Sequence, residues 1–276
     1  MAPRRRVLVL GGSGWLGGAV VPAFRERFET RAPRRGEVDV ADAASVGAAL
    51  AAFLPDTVVN LAALNPHAGD EAAMGRVNAV GAGVVARCVR AAGARLVHMS
   101  TDLVLDGRTP PYRDDAVADP LSAYGRTKAA GEAAVRAADP RALILRTSLV
   151  FDPKTPDRFT RSVLDRIALG VDAPLFVDEI RCPIARGTLS AVLAELVERP
   201  DVRGVLNVAG TQALSRHDFG LRLLRRFGAT RLDLVRRARA AEAAEPRPLD
   251  LTLDVSRARS LLATPLRSVD EELAAT

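Results

Sequence analysis

The sequence predicts an α/β protein, with a doubly wound parallel sheet in residues 1–150. A small C-terminal α/β lobe in residues 151–276 follows and sends segments back to the sheet core. Three observations carry this reading. Short apolar runs alternate with amphipathic helical stretches as far as Thr147, the order of a parallel sheet covered by helices on both faces. A glycine-rich turn joins the first apolar run to the first helix. After Phe151 the rhythm loosens into short elements between polar loops. At 276 residues the chain has room for one large core and an appended lobe.

Residues 7–10 read as a buried strand. Gly11-Gly12-Ser13-Gly14-Trp15-Leu16-Gly17 follows, and a helix is expected from 15 to 27. Strand, glycine turn and helix in that order are the context of the Rossmann dinucleotide fingerprint. Its glycines are read as either Gly12, Gly14, Gly17 or Gly11, Gly14, Gly17. Glycine permits the tight turn and lets the backbone approach a pyrophosphate, which the positive end of the helix then binds. A second strand is expected over 28–32. An NAD site places an acid at the end of this strand for the ribose 2′-hydroxyl, yet Arg31-Ala32-Pro33-Arg34-Arg35 stands there, with no acid from Arg31 until Glu37. Arg34 and Arg35 suit a 2′-phosphate instead, which favours NADPH and leaves NADH open. Residues 37–40 read as a third strand that brings Asp39 and Val40 to the adenine edge. A helix over 43–53 starts from Asp42 as its cap.

Residues 57–63 form a fourth strand and its exit, where Leu61, Ala62 and Ala63 let the backbone approach the cofactor. A long helix over 72–92 carries Asn78, also assigned to the cofactor. The fifth strand and its carboxyl end span 96–102, and ligands of doubly wound sheets bind at such ends. Ser100 or Thr101 there can hydrogen-bond a substrate carbonyl. Pro110, Pro111 and Pro120 break up the approach to the next helix, which Ser122 caps. A sixth strand covers 142–147. In the C-terminal lobe, helices are expected over 158–169, 188–199 and from the Ser215 cap to 227. Strands are expected over 175–177 and 204–208, with a loop over 178–183.

The chemistry rests on Tyr124-Gly125-Arg126-Thr127-Lys128. Four residues apart on a helix, Tyr124 and Lys128 share a face. A phenol can give a proton to a carbonyl oxygen as hydride arrives at the carbon. An adjacent ammonium favours the phenolate, lowers the phenol's pKa and can hold a ribose hydroxyl. Of 39 lysines and arginines only Lys128 and Lys154 are lysine, and Tyr112 and Tyr124 are the only tyrosines. In such a chain a Tyr–Lys pair at this spacing is informative.

Other classes are disfavoured. The net charge of +6 comes from arginines interleaved with acids, without the basic and aromatic interleaving of a nucleic-acid surface. Cys88 and Cys182 give neither metal spacing nor a disulfide framework, and His67, His98 and His217 stand alone. No metal site is expected. The apolar run after Arg6 is too short for a signal peptide, and no run of 18 apolar residues exists. The expectation is a soluble cytoplasmic protein with a small-molecule substrate, no nucleic acid and no membrane, with assembly as a homodimer left open.

With these residues in place the chain resembles the extended short-chain dehydrogenase/reductases, and among them the RmlD-like branch of dTDP-4-dehydrorhamnose reductases. The likeness rests on Gly11 to Gly17, Asn60-Leu61-Ala62-Ala63, Val77-Asn78 and Ser100-Thr101-Asp102 with Asp106-Gly107. It continues in Pro120 with Tyr124, Lys128, Gly131 and Glu132, in Arg146-Thr147-Ser148, in the 178–183 loop, and in Arg247-Pro248 through Asp254 and Ser256. The resemblance implies an NADPH-dependent reductase of a keto group, on a nucleotide-activated deoxysugar. It implies a triad of Thr101, Tyr124 and Lys128, with Asp102 beside the sugar. Leu103 and Leu149 stand where the family carries aromatics, and Asp178-Glu179-Ile180-Arg181-Cys182-Pro183-Ile184 departs from the family's loop. These departures suggest an altered sugar pocket. Arg181 and Arg186, flanking that loop, are expected to contact substrate phosphate. Two alternatives stand beside this reading. One is a nucleotide-sugar epimerase or dehydratase. The other is a non-catalytic NADP-binding regulatory subunit resembling the β subunit of methionine adenosyltransferase.

Overall fold

In the computed structural model, β1 (Arg6–Leu10), β2 (Glu29–Arg31), β3 (Thr57–Asn60), β4 (Arg95–Met99) and β5 (Leu143–Arg146) share one sheet. The described residues are 4–34, 36–65, 69–243 and 245–276. Short strands β6 (Val150–Phe151), β7 (Ala173–Phe176), β8 (Ile180–Arg181) and β9 (Ile184–Ala185) follow. Next, β10 (Gly204–Asn207) returns to the sheet beside β5. The sheet order is β10-β5-β4-β3-β1-β2, parallel throughout. The strand order therefore reverses between β1 and β3. A crevice opens outside the carboxyl ends of the strands at such a switch point.

Helix α1 (Gly17–Arg27) and helix α7 (Arg186–Val197) cover one face. Helices α2 (Ala43–Phe53), α4 (Ala82–Ala91) and α5 (Ala123–Ala138) cover the other. Along β1, Val7 and Val9 pack with the α1/α7 core, while Leu8 and Leu10 pack with α2 and α4. A strand apolar at every position is thus buried on both faces. The remaining α-helices of the described residues are α3 (Glu71–Gly75), α6 (Arg158–Ala168), α8 (Arg216–Arg226), α9 (Ser256–Leu261) and α10 (Val269–Ala274). No helix of the described residues is long and apolar enough to cross a membrane.

Asp42, Ser122 and Ser215 cap α2, α5 and α8 as expected, each accepting from a backbone N–H of the first turn. The expected third strand over 37–40 does not form. Glu37 N donates to Arg34 O at 3.0 Å, and Asp39 Oδ1 accepts from Ala41 N at 2.9 Å. Local Asx-type bonding satisfies this backbone in place of a ladder, despite the alternation of Val38 and Val40. The long helix expected over 72–92 is interrupted by a π-helical turn at Arg76–Gly81. Within the expected 178–183 loop, β8 pairs antiparallel with Leu214–Ser215.

Candidate active site

Two regions meet at the carboxyl ends of the strands. The first is the glycine turn. Gly11 has φ +76°, and a Cβ there would lie 2.6 Å from Ala62 N. Only glycine lets these two backbones touch. The turn closes by Gly14 N donating to Gly11 O at 3.0 Å, and α1 then starts with no side-chain cap. A cavity of about 640 Å³ opens here. Gly11, Ser13, Gly14, Arg34, Asp39, Val40, Leu61, Ala62 and Ala63 all line it.

Other residues assigned to the cofactor lie elsewhere. Trp15 faces the lobe, with the Arg186 guanidinium 5.0 Å above its ring. Leu16 packs on the core and Gly17 is buried beneath the turn. Asn78 is buried and fully occupied. Its Oδ1 accepts from Leu64 N at 2.8 Å, and its Nδ2 donates to Leu64 O at 2.9 Å and Thr127 Oγ1 at 3.0 Å. It clamps the exit of β3 to the Tyr124 helix instead of lining the cavity. Arg35 lies outside the described residues. Arg76 was not anticipated. It lines the cavity and pairs with Asp39, holding that carboxyl below its usual range. Its place in the π-helical turn, where it reads as helix surface, hid it.

The second region is built on β4, α5 and the end of β5. Gly131 brings α5 against the π-helical turn, since a Cβ there would meet Asn78 O at 2.2 Å. Glu132 anchors α5 to the sheet. Arg146 Nε and Nη2 donate to its two oxygens at 2.9 and 2.8 Å, and Ser100 Oγ donates at 2.6 Å. Ser100 is therefore committed to structure, which leaves Thr101 as the hydroxyl at the site. Thr101 Oγ1 donates to Asp102 Oδ1 at 3.1 Å and accepts from Leu103 N at 3.2 Å. Asp102 is buried and accepts from Ser148 Oγ at 2.6 Å. Burial pushes its carboxyl up against the opposing influence of Arg181.

Lys128 is buried, and its Nζ donates to Met99 O at 2.7 Å. Burial lowers the amine to about 8. Burial and the Asp102 carboxylate push the Tyr124 phenol up to about 12. This corrects the expectation that Lys128 lowers the phenol, because desolvation of the phenolate and a nearby negative charge both act the other way. A phenol so placed stays protonated at neutral pH, as a proton donor must. Among the described residues no cluster of metal-ligating side chains occurs.

The residues assigned to substrate separate. Leu103 and Leu149 are half-buried, and Leu149 packs with the Phe151 cluster. Arg181 is 2% exposed and saturated. It donates to Ile180 O at 2.7 Å, Leu249 O at 3.2 Å and Pro248 O at 3.1 Å, and pairs with Glu179 at 3.2 Å. It is a brace beneath Asp102 and no free phosphate ligand. Arg186 pairs with Asp152 at 2.7 Å beside Trp15. Exposed Arg247 and largely buried Arg216 flank the same Glu179 at 2.7 and 3.9 Å and stack on Phe176 and Phe159. Only tertiary folding joins these segments, so their convergence had no sequence signal beyond the Arg247-Pro248 motif.

Comparison with known proteins places the chain in a family. Residues 5–276 match the RmlD substrate binding domain. The chain is 43% identical over 136 residues to a dTDP-4-keto-6-deoxy-D-glucose reductase of Streptomyces niveus, covering 47% of each chain. It therefore spans about half the length of that relative. It is 27% identical over 277 residues to methionine adenosyltransferase 2 subunit beta of Xenopus tropicalis, covering 92% of this chain and 82% of that one. The fold is shared with a dTDP-4-dehydrorhamnose reductase of Bacillus anthracis solved with NADP. That structure has a TM-score of 0.89 at 22% identity, covering 99% of this chain and 98% of that one.

Proposed function

Since the chain belongs to the RmlD substrate-binding family, we propose that it reduces a keto group with NADPH, on a nucleotide-activated deoxysugar. The observation that carries this is the Thr101–Tyr124–Lys128 constellation at the strand ends that also hold the glycine cradle. The cradle fits a dinucleotide, because the backbones of Gly11 and Ala62 meet with no side chain between them. Gly11, Ser13 and Gly14 would hold the pyrophosphate, and Arg34 the 2′-phosphate. When bound, NADPH supplies hydride to the carbonyl carbon.

The chain's own groups handle the oxygen. Its negative charge grows as the carbon is reduced, and Tyr124 gives it the phenolic proton. Thr101 donates a second hydrogen bond once its hydroxyl turns from Asp102, and Ser148 keeps that carboxylate satisfied meanwhile. Protonated at neutral pH, Lys128 stabilises the phenolate left behind. We assign residues 151–276 to substrate, with Arg216 and Arg247 on its diphosphate. Three guanidiniums around the single Glu179 carboxylate leave positive charge there for an anion.

The near full-length likeness to the methionine adenosyltransferase subunit supports a second reading, a regulatory subunit that binds NADP without turnover. A panel of dTDP-, UDP- and GDP-linked keto-sugars, with NADPH oxidation as readout, separates the two. Turnover of one member supports the reductase. Tight NADPH binding with no turnover of any member favours the regulatory subunit.

A further inference from the structure

The amino-terminal edge of the central sheet, opposite the cradle, holds a second cavity, of about 680 Å³. One row of the sheet forms its floor. Val7, next to Arg6, pairs with Thr57, and Thr57 pairs with Arg95. Thr57 and Arg95 thus share the α1/α7 face of the sheet, whereas Arg6 turns to the other face, its guanidinium 4.8 Å from the Phe53 ring. Thr57 is fully buried, and its Oγ1 has no hydrogen-bond partner among the described residues. The buried Nε of Arg95 lacks one too, whereas the Nε of Arg6 lies 3.5 Å from Glu29 Oε1. Buried polar groups are nearly always satisfied, so two orphans on adjacent strands, both on residues that line one cavity, require an explanation.

The charges around the cavity are unbalanced. Arg4, Arg5 and Arg203 also line it. Its carboxylates, Asp56 and Asp139, are already engaged. Asp56 accepts from Arg6 N at 2.7 Å, and Asp139 accepts from both Arg141 N and Arg141 Nε at 3.1 Å. Backbone carbonyls, which carry no net charge, hold the other forks. Arg5 donates to Val197 O at 2.8 Å, Arg95 to Val202 O at 2.8 Å, and Arg203 to Pro200 O at 3.3 Å. Burial, then repulsion by Arg5, lowers the Arg95 guanidinium to about 10. Arg5, Arg95 and Arg203, held by carbonyls, and Arg4, which pairs with no carboxylate among the described residues, suit bidentate phosphate contacts. Their spread over a cavity as large as the cofactor's calls for more than one phosphoryl group.

We propose that this cavity binds a small oligophosphate anion, at a site separate from those for cofactor and substrate. The test is calorimetric titration of the full chain with inorganic triphosphate and with ATP, each with and without saturating NADPH. Both ligands should bind one per chain in the presence of NADPH, more weakly as salt rises. Tighter binding of ATP would add a base to the site, and equal affinity would assign the phosphate chain alone. Arg4→Ser/Arg203→Ser should weaken triphosphate at least about tenfold, the loss of one charge-assisted contact, and leave NADPH affinity unchanged. Thr57→Val removes a hydroxyl that has no partner, so the fold should keep its stability while triphosphate binds less tightly. Three results would overturn the proposal: no triphosphate binding once NADPH saturates the protein, unchanged affinity in both variants, or displacement of triphosphate by a tighter-binding single-stranded oligonucleotide.

Discussion

Replacing Glu132 with Gln attacks the joint between the Tyr124 helix and the sheet. The carboxylate takes three charge-assisted hydrogen bonds, one from Ser100 and two from Arg146. Both partners of the ion pair are buried, with side-chain exposures of 1% for Arg146 and 0% for Glu132. Glutamine keeps the shape but has one acceptor oxygen, and its amide NH₂ turns toward a guanidinium that is itself all donor. Arg146 then stays buried without its counter-charge, a change that costs about 3–5 kcal/mol. Against a total stability of about 5–15 kcal/mol, that is a large share. At about 2 °C per kcal/mol for a chain of this size, the melting midpoint should fall by roughly 6–10 °C. Urea unfolding of Glu132→Gln, Arg146→Met and the double variant supplies the check. The double variant should lose less than the two single losses added together, because removing both charges leaves neither stranded. A loss under about 1 kcal/mol in Glu132→Gln would refute the claim that this pair anchors the helix.

Tyr124→Phe should lower kcat by about 10²–10⁴ while NADPH affinity holds; single-turnover kinetics and cofactor titration provide the readouts, and wild-type turnover would remove Tyr124 from the chemistry. Burial holds Lys128 at about 8 in the folded protein against an ordinary 10.5. The unfolded chain then binds more protons between those values, so this lysine makes stability rise with pH across that window. Lys128→Met should flatten the rise in denaturant melts, and identical pH slopes in the two proteins would count against the assignment. Arg247→Ala should raise KM for a nucleotide-sugar several-fold and spare NADPH binding, whereas Arg181→Ala should unfold the lobe before it reveals any effect on affinity.

Features set by near neighbours in the chain could be read before the structure. The glycine turn depends on residues within one turn of one another, as do the Asp42, Ser122 and Ser215 caps and the Tyr124–Lys128 spacing. Alternation misled at 37–40, because Asp39 bonds its own loop more readily than a neighbouring strand can. Residue type pointed Arg181 to phosphate, but its role depends on carbonyls from 248 and 249 that folding delivers. The direction of the Tyr124 shift failed for a related reason. Spacing reveals that Lys128 is near, whereas burial and the position of Asp102 are tertiary facts. Glu179 with Arg216 and Arg247 gathers three separate segments, and no local pattern announces such a meeting.

The seat of β10 beside β5 has a consequence for how this chain can be made. Every residue of β5 is buried, and one of its two ladders is completed by Gly204–Asn207. During synthesis the first 150 residues emerge with that edge bare, a row of unpaired N–H and C=O groups on an apolar strand. The half that carries the glycine turn therefore waits for more than fifty further residues before its sheet is closed. A fragment cut at the end of β6 should be drawn to whatever strand it meets first, including another copy of itself. The late crossover makes the C-terminal segment a structural part of the sheet that carries the glycine turn.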